Sequence, residues 1–204
     1  RSSDLLTLQI ICRFEGFLLC EKHRAFDGND KGYQNISSQI IGGRMMKGTK
    51  QIDKMLQDND KQLSKLFKYD KKKALTFSKE DREEVADKYG VFVIFDNKTP
   101  IFVGQSGGYS TGYQPITRDL AYKLGQFNLK SGVGTAKFKK GLAATKTLDV
   151  TDTSLITAEA LNLKFQYINV KNEPAFINIL EFLAIEYAKN KGYHLINYYD
   201  INLD

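Results

Sequence analysis

The run Tyr89-Gly-Val-Phe-Val-Ile-Phe-Asp-Asn-Lys-Thr-Pro-Ile-Phe-Val-Gly-Gln-Ser106 decides the fold. Residues 91 to 95 are Val, Phe, Val, Ile and Phe, all of high strand propensity. Asp96-Asn97-Lys98-Thr99 supplies turn chemistry, because Asp and Asn bond their own backbone and tolerate unusual dihedrals. Pro100 opens a second strand, where its missing N–H does little harm. Ile101-Phe102-Val103 continues that strand, and Gly104 closes it where the backbone needs freedom or a close approach. A β-hairpin is therefore expected, with an aromatic beside a glycine on each arm.

Working outward, Gly107-Gly108-Tyr-Ser-Thr-Gly112 reads as a loop and residues 116 to 127 as a helix. A third strand is expected over 163 to 170, where Phe165 and Tyr167 alternate with Gln166 and Ile168. Pro174 opens a long helix to about Asn190, and residues 193 to 199 suggest a last short strand. Upstream, Ser78-Lys-Glu-Asp81 resembles a capping box for a helix that runs to Tyr89-Gly90. Residues 49 to 67 and 4 to 23 carry helical apolar stripes, and residues 34 to 41 with Gly42-Gly43 form a short element and turn. The expected class is α+β. A small antiparallel or mixed three-stranded sheet is flanked by helices over 86–204, and 1–85 is a mainly helical N-terminal region.

The chain has 204 residues, 42% of them apolar and 12% aromatic, enough for a substantial core. No stretch is long and apolar enough to cross a membrane, and the start does not read as a signal peptide. Cys12 and Cys20 are eight apart on an expected helix, too far to bond, so free thiols and a cytoplasmic setting are expected. With only His23 and His194, a multi-histidine metal site is excluded, and any metal would take oxygen ligands. The net charge is +6. Between Asp119 and Asp149 there is no acid, while Lys123, Lys130, Lys137, Lys139, Lys140 and Lys146 are interleaved with glycines. Such a segment suits phosphate contact, and equally a solvated loop.

Gly90-Val-Phe92 and Phe102-Val-Gly104 together resemble the paired motifs of the GIY-YIG nucleases. In that family the hairpin is followed by a helix with an arginine, a third strand, a helix with a glutamate, and a late asparagine. Arg118, Glu181 within Ile179-Leu-Glu-Phe-Leu-Ala-Ile185, and Asn197 stand in that order here. The resemblance covers residues 89 to 199 and implies a phosphodiester hydrolase acting on double-stranded DNA. Arg118 would grip the phosphoryl oxygens through a two-pronged guanidinium. Glu181 would hold one Mg²⁺ that stabilises the leaving oxygen, with Glu186 as the competing acid on the same helix. Tyr122 would assist the attacking water, as a histidine or tyrosine does in some members.

Two departures matter. Phe92 and Phe102 stand where the family has tyrosine, so another hydroxyl (Tyr89, Ser106, Tyr109 or Tyr113) would have to serve, or the domain is silent. The insert from Gly104 to Arg118 is longer than in compact members, a trait of the restriction-enzyme branch. A sequence-specific endonuclease of restriction or mobile-element type follows, with a palindromic target needing a homodimer. The alternatives are a catalytically inactive nucleic-acid-binding module on the same scaffold, and an interaction protein without a nucleic-acid role.

Overall fold

Val91 to Phe95 are all buried because their strand is the inner one and is covered on both faces. In the computed structural model, which describes residues 48–110, 114–131, 134–146, 156–171 and 173–198, this strand is β2 (Gly90–Asp96). It pairs with β3 (Thr99–Ser106) on one side and β4 (Lys164–Asn169) on the other. A two-residue strand, β1 (Leu75–Thr76), adds to β4, and the order is β1-β4-β2-β3. The sheet thus has four strands rather than three, and every pair is antiparallel. Two residues are too few to show an alternation, so β1 left no trace in the pattern.

The hairpin register pairs Phe92 with Gly104 and Asp96 with Thr99. Both motif glycines are needed for close approach. A Cβ on Gly104 would lie 2.6 Å from the Phe92 ring, and one on Gly90, whose φ is +140°, would strike the Ile168 carbonyl of β4.

Helices cover both faces. On one, α1 (Gly48–Phe67) buries Leu63, Leu66 and Phe67 against Val91, Val93 and Phe95, beside α5 (Pro174–Asn190) with Ile177, Leu180, Leu183 and Ala184. Pro174 stands in the first turn of α5, as expected. On the other face, Phe92, Ile94 and Phe165 meet Phe77, Leu120, Leu124, Phe127, Phe138 and Leu142. These come from the segment around α2 (Lys79–Glu83), from α3 (Leu120–Gly125) and the 3-10 turn Gln126–Asn128, and from α4 (Ala136–Thr145).

Several expectations are corrected. The lysine-rich segment is a helix over 136–145, because Phe138 and Leu142 lie one turn apart on a single face. The helix after the hairpin starts at Leu120, so Arg118 precedes its N-cap, Asp119, whose carboxylate accepts the Tyr122 N–H at 2.8 Å. The capping helix stops at Glu83, well short of Tyr89, although Ser78 caps it as read and accepts the Asp81 N–H at 3.2 Å. Residues 196–198 form a 3-10 turn in place of a strand. The described residues belong to the compact unit Lys47–Asp204, so α1, β1 and α2 share the core of the sheet, and no boundary falls at residue 85. The expected elements at 4–23 and 34–41, both cysteines, His23 and Tyr113 lie outside the described residues.

Gln166 is what fastens α1 to the sheet. Its carboxamide nitrogen donates to the Leu66 and Lys68 carbonyls at 3.3 and 3.1 Å, and its oxygen accepts the Asp70 N–H at 2.6 Å. These are the carbonyls that a helix C-terminus leaves without partners. No helix among the described residues is long and apolar enough to cross a membrane.

Candidate functional site

β3 is the outer strand of the sheet, and a cleft of about 870 Å³ opens along it. Alternation along the strand turns Phe102, Gly104 and Ser106 toward this cleft. Its walls come from residues 114–118, from Lys123 and Gln126, and from the start of α4 at residues 134–138. Glu181 enters from α5, whose apolar side is committed to the opposite core.

Arg118, Lys123, Lys137 and Glu181 all line this one cleft. Lys123 feels the charges of both Glu181 and Arg118. Burial pushes the Lys123 ammonium below its ordinary pKa, the Glu181 charge draws it back up, and the Arg118 charge lowers it again. Burial raises the Glu181 carboxyl to about 7, against the opposing pull of Lys123. A carboxylate so placed is short of positive charge, and its charged neighbour Lys123 is itself short of negative charge.

The arginine is held from both ends. The buried Ser106 hydroxyl donates to the Arg118 carbonyl, and the guanidinium lies over the Tyr122 ring at 4.6 Å from its centre. Tyr122 is 51% exposed and lies outside the cleft lining, so the geometry gives it contact with Arg118 rather than a reach into the cleft. The loop after β3 is clamped to α5 by Asn178, whose carboxamide oxygen accepts the Tyr109 N–H at 2.7 Å and whose nitrogen donates to the Tyr109 carbonyl at 3.3 Å. Asn178 is one turn from Glu181, so the wall bearing Arg118 and the helix bearing Glu181 are tied together beside the cleft.

Asn197 also lines the cleft, in a structural posture. Its side-chain amide accepts the Val103 N–H and donates to the Val103 carbonyl, both at 2.9 Å. It therefore occupies the outward backbone groups of the edge strand as a further strand would. Phe92 is 0% exposed beneath Gly104, and its ring meets Phe127 edge to face. Phe102 is half-buried on the cleft floor, against Phe127 and Phe138. Of the hydroxyls considered for the missing phenols, Ser106 lines the cleft, and Tyr89 donates to the Thr117 carbonyl at 3.5 Å.

The lysines divide. Lys123 and Lys137 line the cleft, while Lys130 and Lys140 do not. Lys139 is corrected outright as a candidate phosphate contact. It is 0% exposed, and its ammonium donates to the Leu129 and Lys130 carbonyls. Gln126, Thr135 and Asn178 were missed by sequence reasoning. Thr135 alone had a local signal, as a Thr just ahead of an amphipathic helix.

Glu181 is the one carboxylate in the cleft lining, and no group of three His, Cys, Asp or Glu side chains forms a metal cage among the described residues. That donor set does not suit zinc, which takes several nitrogen or sulfur ligands. It fits a hard ion such as Mg²⁺, which keeps its waters and binds through one carboxylate together with substrate phosphate. No family model, no curated protein and no solved structure matches this chain.

Proposed function

We propose that this chain is a Mg²⁺-dependent endonuclease that hydrolyses phosphodiester bonds of double-stranded DNA, with a GIY-YIG-like arrangement of groups. One observation carries the reading: Arg118 and Glu181, far apart in the chain, line the same cleft as Lys123, which feels the charge of each. Phosphodiester hydrolysis builds negative charge on the phosphoryl oxygens and on the departing O3′. Arg118 is suited to the first, since a guanidinium offers two parallel donors to two oxygens. Its stacking on Tyr122 and the Ser106 bond to its carbonyl limit where the fork can point. Lys123 adds a second cation, whose burial cost an incoming anion would offset. Glu181 would hold the ion, which when bound supplies Lewis-acid stabilisation of the leaving oxygen. The two phenylalanines can neither accept nor relay a proton, so the attacking water must lose its proton elsewhere in the cleft. Lys137 and the positive surface around α4 would contact the DNA backbone, and a homodimer would match a palindromic site.

The test is incubation of varied plasmid DNA with and without Mg²⁺, followed by mapping of discrete ends. Cleavage is expected with wild type, and a loss of about three orders of magnitude in Arg118→Ala and in Glu181→Ala. Two variants that cut like wild type would end the assignment. The burial of Phe92 in a purely apolar setting favours a second reading, a silent binding module on the same scaffold. It predicts salt-dependent affinity for duplex DNA with no nick under Mg²⁺ or Mn²⁺.

A further inference from the structure

Thr135 is 4% exposed, and its hydroxyl has no hydrogen-bond partner among the described residues. Buried hydroxyls are nearly always satisfied, so this one needs an explanation. It stands at the N-cap of α4, a helix of ten residues. A threonine there ordinarily accepts an N–H from the first turn, but this side chain makes no capping bond. The first intrahelical bond runs from the Lys139 N–H to the Thr135 carbonyl at 3.0 Å. The amides of Ala136, Lys137 and Phe138 come before it and have no acceptor within the helix. Gly134, Thr135, Ala136 and Lys137 all line the cleft, and the first turn of α4 carries no acid.

We propose that this helix start is a phosphate subsite, in which Thr135 and the first-turn amides hold a backbone phosphate of the same nucleic-acid strand that meets Arg118 and Glu181. The inference rests on the nucleic-acid reading of the cleft. Several N–H groups directed along a helix axis, with the positive end of its dipole, are a recurrent way to bind phosphate oxygens. The Thr135 hydroxyl donates to one such oxygen, and Lys137 adds a full charge at the rim. Without a ligand the buried hydroxyl is a cost to the fold, and the incoming phosphate removes it. Two phosphate contacts on separate walls would fix the direction in which the strand crosses the cleft, which one contact cannot do.

The experiment is a titration of the full chain with inorganic phosphate and then with a short DNA duplex, read from the backbone amide signals of Ala136 and Lys137. Thr135→Val, which keeps shape and removes the hydroxyl, is compared with Thr135→Ser, which keeps the hydroxyl. Wild type and Thr135→Ser are expected to show saturable shifts at Ala136 and Lys137. Thr135→Val is expected to bind both probes about tenfold more weakly, the loss of one charge-assisted bond. It should also melt no lower than wild type, because the hydroxyl it lacks was unpaired. Equal affinity in wild type and Thr135→Val, or shifts confined to residues 118 and 123, would overturn the proposal. A variant weakened for inorganic phosphate but not for duplex would make this a free-phosphate site and overturn the strand assignment. The readout needs no turnover. A chain that binds both probes here yet cuts nothing keeps the subsite and loses the nuclease reading. A chain that cuts DNA equally well as Thr135→Val, with no shift at Ala136, loses the subsite alone.

Discussion

Gln166 and Thr135 both bury polar atoms, at 6% and 4% exposure, beside opposite faces of one sheet. Gln166 uses its oxygen and its nitrogen on the backbone that closes α1, and nothing is left over. Thr135 has no partner among the described residues. The difference follows the cleft. Lys139, one turn along from Thr135 on the same helix, is fully buried and bonded to two carbonyls. Three unsettled groups meet where the outer strand leaves space: Thr135, Lys123 short of negative charge, and Glu181 short of positive charge. The core around Gln166 has spent its polar groups on folding. The cleft, drawn from elements of both layers, withholds some at a cost in stability, and groups held in that way release free energy when a ligand of complementary charge arrives.

The comparison breaks most readily at Gln166. Gln166→Leu keeps the volume roughly and strands the Asp70 N–H together with the last carbonyls of α1. A loss of about 3 kcal/mol is expected in urea unfolding, since each buried group left without a partner costs about 1–3 kcal/mol. The cleft should be untouched, so phosphate shifts at Ala136 should persist in the folded fraction. If Gln166→Leu unfolds at the wild-type urea midpoint, the settled face is held by apolar packing alone.

Glu181→Gln addresses the cleft, from a helix that shares the Gln166 core, and should act in the opposite direction. The folded carboxyl titrates near 7, above its ordinary 4.5. The folded state therefore holds a proton that the unfolded state releases, and wild-type stability declines as pH rises from about 4.5 through 7. Below that window both states are protonated and the contribution is fully present. Glutamine never ionises, so the variant should be more stable than wild type at pH 8, on the order of 2 kcal/mol, with the difference vanishing near pH 4. Parallel stability curves for the two proteins from pH 4 to 8 would show that Glu181 is not held out of balance.

How far these features were legible depended on their range. The hairpin was readable because β2 is apolar on both faces and the turn residues are local. The helix Pro174–Asn190 was readable from its proline and its long apolar pattern. Arg118, Lys123 and Glu181 line one cleft, yet Arg118 lies ahead of the helix expected to hold it, because Asp119 caps α3 one residue later. The α4 helix was hidden by lysines and glycines around a two-residue apolar stripe, Phe138 and Leu142. The Gln166 bonds span 96 to 101 residues, and no periodicity encodes a contact of that reach. Burial of Lys139 was equally invisible, since its charge argued for solvent.

The smallest expected effect lies at the hairpin turn, which serves both faces equally and so acts as the control. Asn97 and Lys98 have φ of 47° and 78°, the left-handed pair that a two-residue loop between Asp96 and Thr99 requires. Asparagine accepts that region readily, and lysine does so at roughly 1–2 kcal/mol. Lys98→Gly removes the penalty but gives the unfolded chain more freedom, worth about 0.4–1 kcal/mol the other way. The net is a gain of about 0.5–1 kcal/mol, seen as a higher urea midpoint at unchanged slope. It should be the same at pH 5 and pH 8 and should leave phosphate affinity at Ala136 unaltered. A gain that grew with pH, or altered phosphate binding, would mean that the turn is coupled to the cleft and that the two faces are not independent. A loss of stability would mean that the Lys98 side chain contributes more at the turn than its backbone strain costs.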